Sequence, residues 1–211
     1  PFANKYSCCM KIGSLFSGIG GLELGLERSG LGETIWQVEI DEGCRSILSR
    51  HWPTAKRFAD IRSVGASELE PVDVICGGFP CQDLSSAGKR AGLSGDRSGL
   101  WSEYLRVVGE LRPAWVVVEN VASGAARWVD TVVEGLEQLG YTCLPVPLSA
   151  VDVGGPHERS RVFIVACHAH ANSKSMGTLN EEVARLSGAS GSISHWTQQP
   201  DLRMDDGLSN Q

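Results

Sequence analysis

The sequence predicts an α/β domain built on a doubly wound, mostly parallel sheet with an antiparallel strand pair at its C-terminal end. Three observations support this fold class. Short apolar runs typical of buried strands alternate with segments of helix length. Glycine or proline follows predicted helices, at Gly30, Pro53 and Gly140, as expected where a helix ends. The chain has 211 residues, of which 42% are hydrophobic, and this is enough for one core of ordinary size.

The first half of the chain is predicted to contain strands at about 11–16, 34–39 and 57–58 and helices at about 21–29 and 42–51. Gly30 follows the first helix, where glycine readily adopts the left-handed conformation of a helix end. Pro53 follows the second helix and cannot continue it, because its ring clashes with the preceding turn.

The second half is predicted to contain strands at about 72–76, 114–119, 141–148 and 161–167 and helices at about 99–111 and 125–139. Gly140 closes the last helix. Only about a dozen residues separate the last two strands, which is too short for a parallel crossover, so we expect them to pair antiparallel.

Composition changes near both ends of the chain. Residues 1–9 show no hydrophobic periodicity, so we expect an N-terminal extension there and a natural start at Met10. The stretch 171–211 is rich in Ser, Gly, Asn, Gln and Asp and has little apolar periodicity. The sequence therefore predicts one folded domain at 10–170 and a poorly ordered segment at 171–211.

Composition also limits the class of protein. The sequence has neither an apolar run long enough to span a membrane nor a signal-peptide pattern. Seven cysteines without Cys-x-x-Cys spacing favour reduced thiols in a cytoplasmic protein, and His168 and His170 beside Cys167 match no closed zinc set, so no metal is expected. With a net charge of −6, a nucleic-acid partner needs a locally basic face. The candidates for that face, which are otherwise solvated surface residues, are Lys89, Arg90, Arg97, Arg159 and Arg161.

Cys81 is the strongest candidate for a catalytic residue. It follows Pro80 directly after an apolar strand, and open α/β sheets bind ligands beyond the carboxyl ends of their strands. The residues at 83–99 are rich in Ser, Gly and charge, as in a mobile active-site loop. The alternative for a lone cysteine is a small core residue, and this fits the cysteines within apolar segments, namely Cys44, Cys76, Cys143 and Cys167.

Glu119 ends the apolar strand at 114–119 and is the candidate acid. Partial burial disfavours the charged form of a carboxyl, which suits proton donation, and with Cys81 it suggests covalent catalysis with acid assistance. The alternative is a carboxylate that only orders a loop. Arg159 and Arg161 enter the last strand two residues apart and are expected to share one face of it, unless they are surface ion-pair partners.

A glycine-rich turn, with Phe16 before it and Gly18, Gly20 and Gly21 within it, joins the first strand to the first helix. Such a turn lets the backbone approach a nucleotide-like ligand at a helix N-terminus. Glu39, about twenty residues later at the next strand end, is placed to bind two ribose hydroxyls, and Asp60 to accept a hydrogen bond from an adenine amine. The alternatives are a loop acid for Glu39 and a turn cap for Asp60.

Taken in order, these motifs resemble the cytosine-5 DNA methyltransferase family, in particular its compact, phage-like bacterial members. The resemblance covers about residues 11–167, and the matching segments are Leu15–Gly21, Glu39, Asp60–Ile61, Gly78–Gln82 with Ser85 and Gly88, Asp96–Leu100, Glu119–Val121 and Glu158–Arg161. Two positions depart from the family pattern: His157 replaces a usual Gln, and Ser14 replaces an acidic residue.

The resemblance implies a Rossmann-like domain that transfers a methyl group from S-adenosylmethionine to carbon 5 of cytosine in DNA. It implies that Cys81 adds to carbon 6 of a flipped-out base, that Glu119 bonds N3 and the exocyclic amine, and that Arg161, supported by Arg159, contacts O2. The cofactor-binding residues that it implies are Phe16, Gly18, Gly20, Gly21, Glu39, Ile40, Asp60, Ile61, Pro80 and Leu100.

The partners implied are double-stranded DNA and a cognate restriction endonuclease of the same system, and the implied state is a monomer. Two alternatives remain open: an RNA cytosine-5 methyltransferase of the same fold, and a non-catalytic fragment that binds cofactor or DNA. The family normally continues into a target-recognition region and a final Gly-Asn-x-x-x-Pro segment. The resemblance therefore implies truncation before that last motif, with 171–211 as a tail or a remnant of a small recognition region.

Overall fold

The computed structural model describes residues 10–80 and 99–168. Within these ranges the strands are β1 Met10–Leu15, β2 Gly32–Val38, β3 Lys56–Phe58, β4 Val74–Gly77, β5 Trp115–Val121, β6 Tyr141–Ser149 and β7 Ser160–His168. The helices are α1 Gly21–Arg28, α2 Glu42–His51, α3 Gly99–Leu111 and α4 Ala125–Gln138.

The strands form a single sheet in the order β3-β2-β1-β4-β5-β7-β6. The first five strands are parallel, and β7 runs antiparallel to both β5 and β6. The predicted doubly wound, mostly parallel sheet with an antiparallel C-terminal pair is thereby confirmed. The order reverses direction between β1 and β4, where Leu15 pairs with Gly77. Such a switch point leaves a crevice at the carboxyl ends of the strands, where open α/β sheets bind ligands.

The main core lies between one face of the sheet and helices α3 and α4. Helix α3 contributes Trp101, Tyr104, Val107 and Val108, which are buried at a spacing of three to four residues. A smaller cluster on the opposite face joins the sheet to α1 through residues such as Ile12 and Leu26. Both faces of the parallel part are therefore covered, as a parallel sheet requires.

The strand boundaries differ from prediction at two places that matter for function. Strand β4 begins at Val74, two residues later than predicted, and Asp73 before it bonds the start of β1 through both its backbone N–H and its carboxylate. Strand β5 continues to Val121, because the antiparallel ladder with β7 extends beyond the ladder with β4. Glu119 therefore lies within the strand and not at its end.

Strands β3 and β6 form the two edges of the described sheet. Strand β6 pairs with β7 over its whole length and contains Pro145 and Pro147. Proline cannot donate to a ladder, and it is accepted in sheets mainly on such edge strands.

Close packing of β1 on β2 requires a glycine at position 13. The indole of Trp36 is fully buried, and it occupies the space that a side chain on Gly13 would need. The indole nitrogen donates a hydrogen bond of 2.8 Å to the carbonyl of Glu70, which holds the ring in this place.

We predict that Gly13→Ala lowers the free energy of unfolding by about 1–3 kcal/mol, because the added methyl displaces a buried ring. Gly25→Ala is the matched control. Gly25 is exposed in α1 with open space around it, so alanine there should raise the free energy of unfolding by about 0.5–1 kcal/mol. Urea denaturation of both variants measures the difference, and equal stabilities would contradict this account of the packing.

Candidate active site

The carboxyl ends of β1, β2, β4 and β5 gather most of the predicted site residues at one edge of the sheet. Two of them form an ion pair: Nε of Arg161 lies 2.6 Å from Oε1 of Glu119. The side chains are only 19% and 28% exposed, so water screens their attraction less than it would at an open surface. The prediction that Glu119 and Arg161 belong to one site agrees with this contact.

Gly78 allows the chain after β4 to pass directly over Glu119. A Cβ atom on Gly78 would lie 2.8 Å from Oε2 of Glu119 and 3.1 Å from its carbonyl oxygen. Any other residue here would push the carboxylate aside. Gly78 therefore sets the distance between the carboxylate and the segment that leads to Cys81.

Asn120 secures the same segment from the other face of β5. Its side chain is buried, its Nδ2 donates a 3.1 Å hydrogen bond to the carbonyl of Phe79, and its Oδ1 accepts one from the N–H of Val121. From the sequence, Asn120 is recognisable only as part of the segment Glu119–Val121, and this role is not predicted. A polar amide within an apolar strand, where alternation places it towards the core, is the signal that points to it.

Pro80 is exposed, and it is the last described residue before the predicted nucleophile. Cys81, the predicted loop at 83–97 and the basic residues Lys89, Arg90 and Arg97 lie outside the described residues. The structure therefore gives the approach to Cys81, and the placement of Cys81 itself stays a prediction.

Aromatic rings connect the two sides of the crevice. Their contacts could not be predicted from the sequence. Phe79 packs on Trp101 and Trp128, with ring centroids 5.3 and 6.1 Å apart. Trp101 stacks on Tyr104, whose ring faces Phe16 at 6.3 Å. These rings line the core below the site, and the predicted cofactor residue Leu100 packs against the same core.

Residues in and beside the glycine-rich turn adopt left-handed backbone conformations. Phe16 has a φ of 55°, a left-handed value that is uncommon outside glycine, and Gly20 has a φ of 87°. A side chain at Gly20 would also collide with Trp52. By contrast, a Cβ atom on Gly18 or Gly21 would meet nothing within 4 Å, so the space beside the turn is open to a ligand.

Glu39 joins this turn to the end of β2. Its Oε2 accepts a 2.7 Å hydrogen bond from the N–H of Gly18, and its Oε1 accepts one of 2.8 Å from the N–H of Asp41. Ile40, the next residue, is 68% exposed and presents an apolar side chain beside the turn. Each oxygen of Glu39 keeps a lone pair, because a carboxylate has about four acceptor sites.

Asp60 caps the short turn Ile61–Ser63, which is the alternative that the sequence left open. Its carboxylate accepts hydrogen bonds from the backbone N–H of Arg62 at 3.0 Å and from the guanidinium at 2.8–3.1 Å. The side-chain hydrogen bonds from Arg62, followed by the backbone bond, hold the pKa of Asp60 below its usual value. Ile61 is buried. Contact of Asp60 or Ile61 with an adenine stays a prediction.

Arg159 lies just before the strand that contains Arg161. It precedes β7, its side chain is exposed, and its carbonyl accepts a hydrogen bond from the N–H of Ala150. Strand β7 begins at Ser160, so Arg159 lies one residue before it, and the sharing of one face by the two arginines stays a prediction.

The four described cysteines are free thiols, and their surroundings do not favour a nucleophile. Burial raises the pKa of Cys76 well above its usual range and that of Cys143 to about 12. In the described ranges, His, Cys, Asp and Glu form no group of three that could hold a metal ion. The helices of the same ranges are all too short or too polar to cross a membrane.

Comparison with known proteins gives a match at the level of a family. The family model described as C-5 cytosine-specific DNA methylase matches residues 10–205. The type II methyltransferase M2.BsuMI of Bacillus subtilis is 38% identical over 165 residues, which cover 74% of this chain and 42% of that protein. M.FnuDI of Fusobacterium nucleatum is 35% identical over 167 residues, which cover 77% of this chain and 48% of that protein. The chain spans about half the length of the curated relatives it matches.

Solved structures agree with the fold. A prophage-encoded protein of Escherichia coli, assigned to DNA modification, is 28% identical with a TM-score of 0.62, covering 80% of this chain and 48% of that one. The Entamoeba histolytica methyltransferase EhMeth has a TM-score of 0.66, and the match covers 76% of this chain and 53% of that one. At 23% identity this likeness concerns the fold alone.

We predict that Asn120→Ala lowers the free energy of unfolding by about 1–3 kcal/mol, because the buried carbonyl of Phe79 loses its donor. Gln138→Ala is the control. Gln138 makes an exposed hydrogen bond of 3.4 Å within α4, so its removal should change the free energy by less than about 0.5 kcal/mol. Chemical denaturation measures both, and a neutral Asn120→Ala would mean that Asn120 does not secure the segment before Cys81.

Proposed function

This chain belongs to the C-5 cytosine-specific DNA methylase family, and from that membership we propose that it transfers a methyl group from S-adenosylmethionine to carbon 5 of cytosine in DNA. One observation carries the proposal beyond the family match. The Glu119–Arg161 pair lies directly under Gly78, three residues before Cys81. Covalent attack on a pyrimidine requires a thiol near an acid, and we propose that Cys81 supplies that thiol at the crevice where Glu119 and Arg161 lie.

The residues around the glycine-rich turn fit S-adenosylmethionine. The space beside Gly18 and Gly21 is open, and Glu39 has lone pairs left for two ribose hydroxyls. Ile40 offers an apolar contact for an adenine ring, and Phe16 lies on the core side of the same turn. When bound, this cofactor would supply a methyl group from a positively charged sulfur, and the neutral thioether left after the methyl–sulfur bond breaks would be the leaving group. Asp60, Ile61, Pro80 and Leu100 complete the proposed set.

Carbon 5 of cytosine is a weak nucleophile, and Cys81 overcomes this. Its thiolate forms a bond to carbon 6, the electron pair of the carbon 5–carbon 6 double bond moves into a carbon 4–carbon 5 double bond, and the carbon 4–N3 pair moves to N3. The resulting enamine is nucleophilic at carbon 5. Glu119 bonds N3 and the exocyclic amine where charge develops, and Arg161 holds Glu119 and reaches O2. Arg159 supports Arg161 from the neighbouring exposed position.

After the methyl group has joined carbon 5, a base removes the proton from that carbon. The electron pair left behind re-forms the double bond while the bond from Cys81 to carbon 6 breaks, which returns the free thiolate. The target atom is out of reach inside a duplex, so the cytosine is flipped out of double-stranded DNA. We assign this catalysis to the domain at 10–170, with 83–97 as the closing loop and 171–211 as a tail or remnant of a recognition region.

The relatives also suggest the biological setting. Several are type II methyltransferases, so a cognate restriction endonuclease of the same system is the proposed partner. We propose a monomer that acts in the cytoplasm.

We predict that Cys81 forms a covalent adduct with duplex DNA containing 5-fluorocytosine when S-adenosylmethionine is present. Fluorine at carbon 5 cannot leave as a proton does, so the adduct is trapped and retards the protein on denaturing gels. DNA amplified from random sequence covers every recognition site. Cys81→Ala should abolish the adduct while cofactor binding persists, and the half-buried Cys143→Ala should keep it.

The outcomes of this experiment separate the alternatives. An adduct that persists in Cys81→Ala would assign the nucleophile elsewhere. An adduct with 5-fluorocytidine RNA but not with DNA would make the protein an RNA methyltransferase. Cofactor binding without any adduct would make it a non-catalytic binding protein.

We also predict that Glu39→Ala weakens S-adenosylmethionine binding by about 30- to 150-fold. A charged acceptor of two ribose hydrogen bonds contributes about 2–3 kcal/mol, which converts to that factor. The control is Glu33→Ala, at an exposed position of β2. Titration calorimetry measures both dissociation constants; an unchanged value for Glu39→Ala would leave Glu39 as a loop acid that only orders the turn.

A further inference from the structure

Glu23 is a buried carboxyl that the proposed reaction does not use. Its side chain is 1% exposed, although its neighbours Leu24 and Gly25 on α1 are exposed. Its Oε1 atom makes no hydrogen bond with any group in the described part of the chain. Burying such a group costs free energy, so its presence under the glycine-rich turn calls for a compensating gain.

The groups around this carboxyl come from the turn and from the two strands that support it. They are the hydroxyls of Ser14 and Ser17 and the side-chain amide of Gln37. The hydroxyl of Ser17 donates a 2.9 Å hydrogen bond to the hydroxyl of Ser14. The Ser14 hydroxyl then has its own hydrogen to donate, and Glu23 offers an oxygen for it. A chain of polar groups therefore runs from the turn to α1.

Ser17 is the residue through which the turn is attached to the sheet. Its N–H donates to the carbonyl of Val38 at 3.2 Å, and its own carbonyl accepts from the N–H of Gly20 at 2.9 Å. Gly18, the next residue, donates to Glu39. Any group that fixes Ser17 therefore fixes the backbone that faces the open space beside Gly18.

We propose that Glu23 is a positioning residue: its buried carboxyl holds Ser14 and Ser17 in place and thereby shapes the glycine-rich turn for the cofactor. This inference rests on the proposed function, because the turn is taken to bind S-adenosylmethionine. Glu23 touches neither cofactor nor base, and it acts through the turn.

Within this proposal the carboxyl acts in its neutral form, because it is buried beside uncharged hydroxyl and amide groups. Burial raises the pKa of Glu23, and the polar groups beside it, first the Ser14 hydroxyl, then its own backbone, the Ser17 hydroxyl and the Gln37 amide, oppose that rise. A neutral carboxyl both donates and accepts, and Gln37 needs both, since its amide oxygen and nitrogen are buried without partners in the described structure. An ionised carboxylate could serve only the nitrogen.

The other titratable groups near Glu23 are few in the described ranges. Strand β4 contributes Cys76, a buried thiol whose pKa is raised well above its usual range by burial. Helix α1 contributes Glu27, which accepts hydrogen bonds from the N–H of Thr34 and from Nε1 of Trp52. Strands β1 and β2 contribute the uncharged Ser14 and Gln37. Ionisation of Glu23 therefore finds no cation among these groups to offset it.

The pH dependence follows from the raised pKa. Below the ordinary range of a carboxyl, Glu23 is neutral in both folded and unfolded chains, and its contribution is fully present. That contribution is lost as the pH rises through the folded pKa, because the buried group must then ionise. Affinity for the cofactor should fall over the same range.

The test compares Glu23→Gln, Glu23→Leu and the exposed control Glu33→Gln by calorimetry with S-adenosylmethionine between about pH 5 and pH 8. Glutamine donates and accepts but cannot ionise, so Glu23→Gln should bind within about 2-fold of the unmodified chain at low pH and lack its fall at high pH. Leucine offers no oxygen to the Ser14 hydroxyl and no polar group to Gln37, so Glu23→Leu should bind about 10-fold more weakly throughout. Glu33→Gln should follow the unmodified chain.

Two results would overturn the inference: a fall with pH in Glu23→Gln equal to that of the unmodified chain, or undiminished affinity in Glu23→Leu. If Glu23→Leu does not fold by circular dichroism, the pH profile of Glu23→Gln decides alone. If neither the unmodified chain nor any variant binds S-adenosylmethionine, the proposed function fails. The role of Glu23 in ordering the turn is then tested without ligand, by amide hydrogen exchange of Ser17, Gly18 and Gly20. Exchange that is equally slow in the unmodified chain and in Glu23→Leu would then show that the turn does not depend on this carboxyl.

Discussion

The close approach of β1 and β4 is the constraint on which the site depends. Leu15 pairs with Gly77, and no side chain at position 77 would fit against the carbonyl of Leu15. The two strands therefore end side by side, and the chain leaves each of them in a different direction. One exit becomes the glycine-rich turn, and the other becomes the segment Gly78–Pro80. The proposed cofactor site and the approach to the proposed nucleophile are neighbours because two backbones meet here without side chains between them.

Strand β5 completes this arrangement by using both of its faces. Glu119 points to the face where Arg161 from β7 balances its charge, whereas Asn120 points into the core and holds the carbonyl of Phe79. Because side chains alternate along a strand, the proposed catalytic residue and the residue that supports the neighbouring segment lie on opposite faces of β5. The antiparallel direction of β7 is what brings Arg161, near the start of that strand, to the carboxyl end of β5.

Most helices, strands and motifs could be predicted from the sequence, whereas contacts between distant positions could not, for a physical reason. Apolar runs and the residues that break them are local signals, so the elements and most of the motifs were found. The extension of β5 to Val121 depends on its register with β7, some forty residues away. The bond between Asn120 and Phe79 also joins distant positions. Glu23 was missed because a polar residue in a helix normally faces water, and only the path of the turn shows that it faces the sheet.

The two prolines of β6 have a consequence for how this protein behaves at high concentration. An exposed edge strand offers unpaired N–H groups on which another chain can add a strand, and this is a common route to aggregation. Pro145 and Pro147 have no N–H to offer. The edge next to the proposed catalytic half of the sheet is thereby blunted against self-association, at positions where the ladder with β7 remains complete. Within the described sheet, the composition of β6 therefore disfavours the addition of a further strand at this edge.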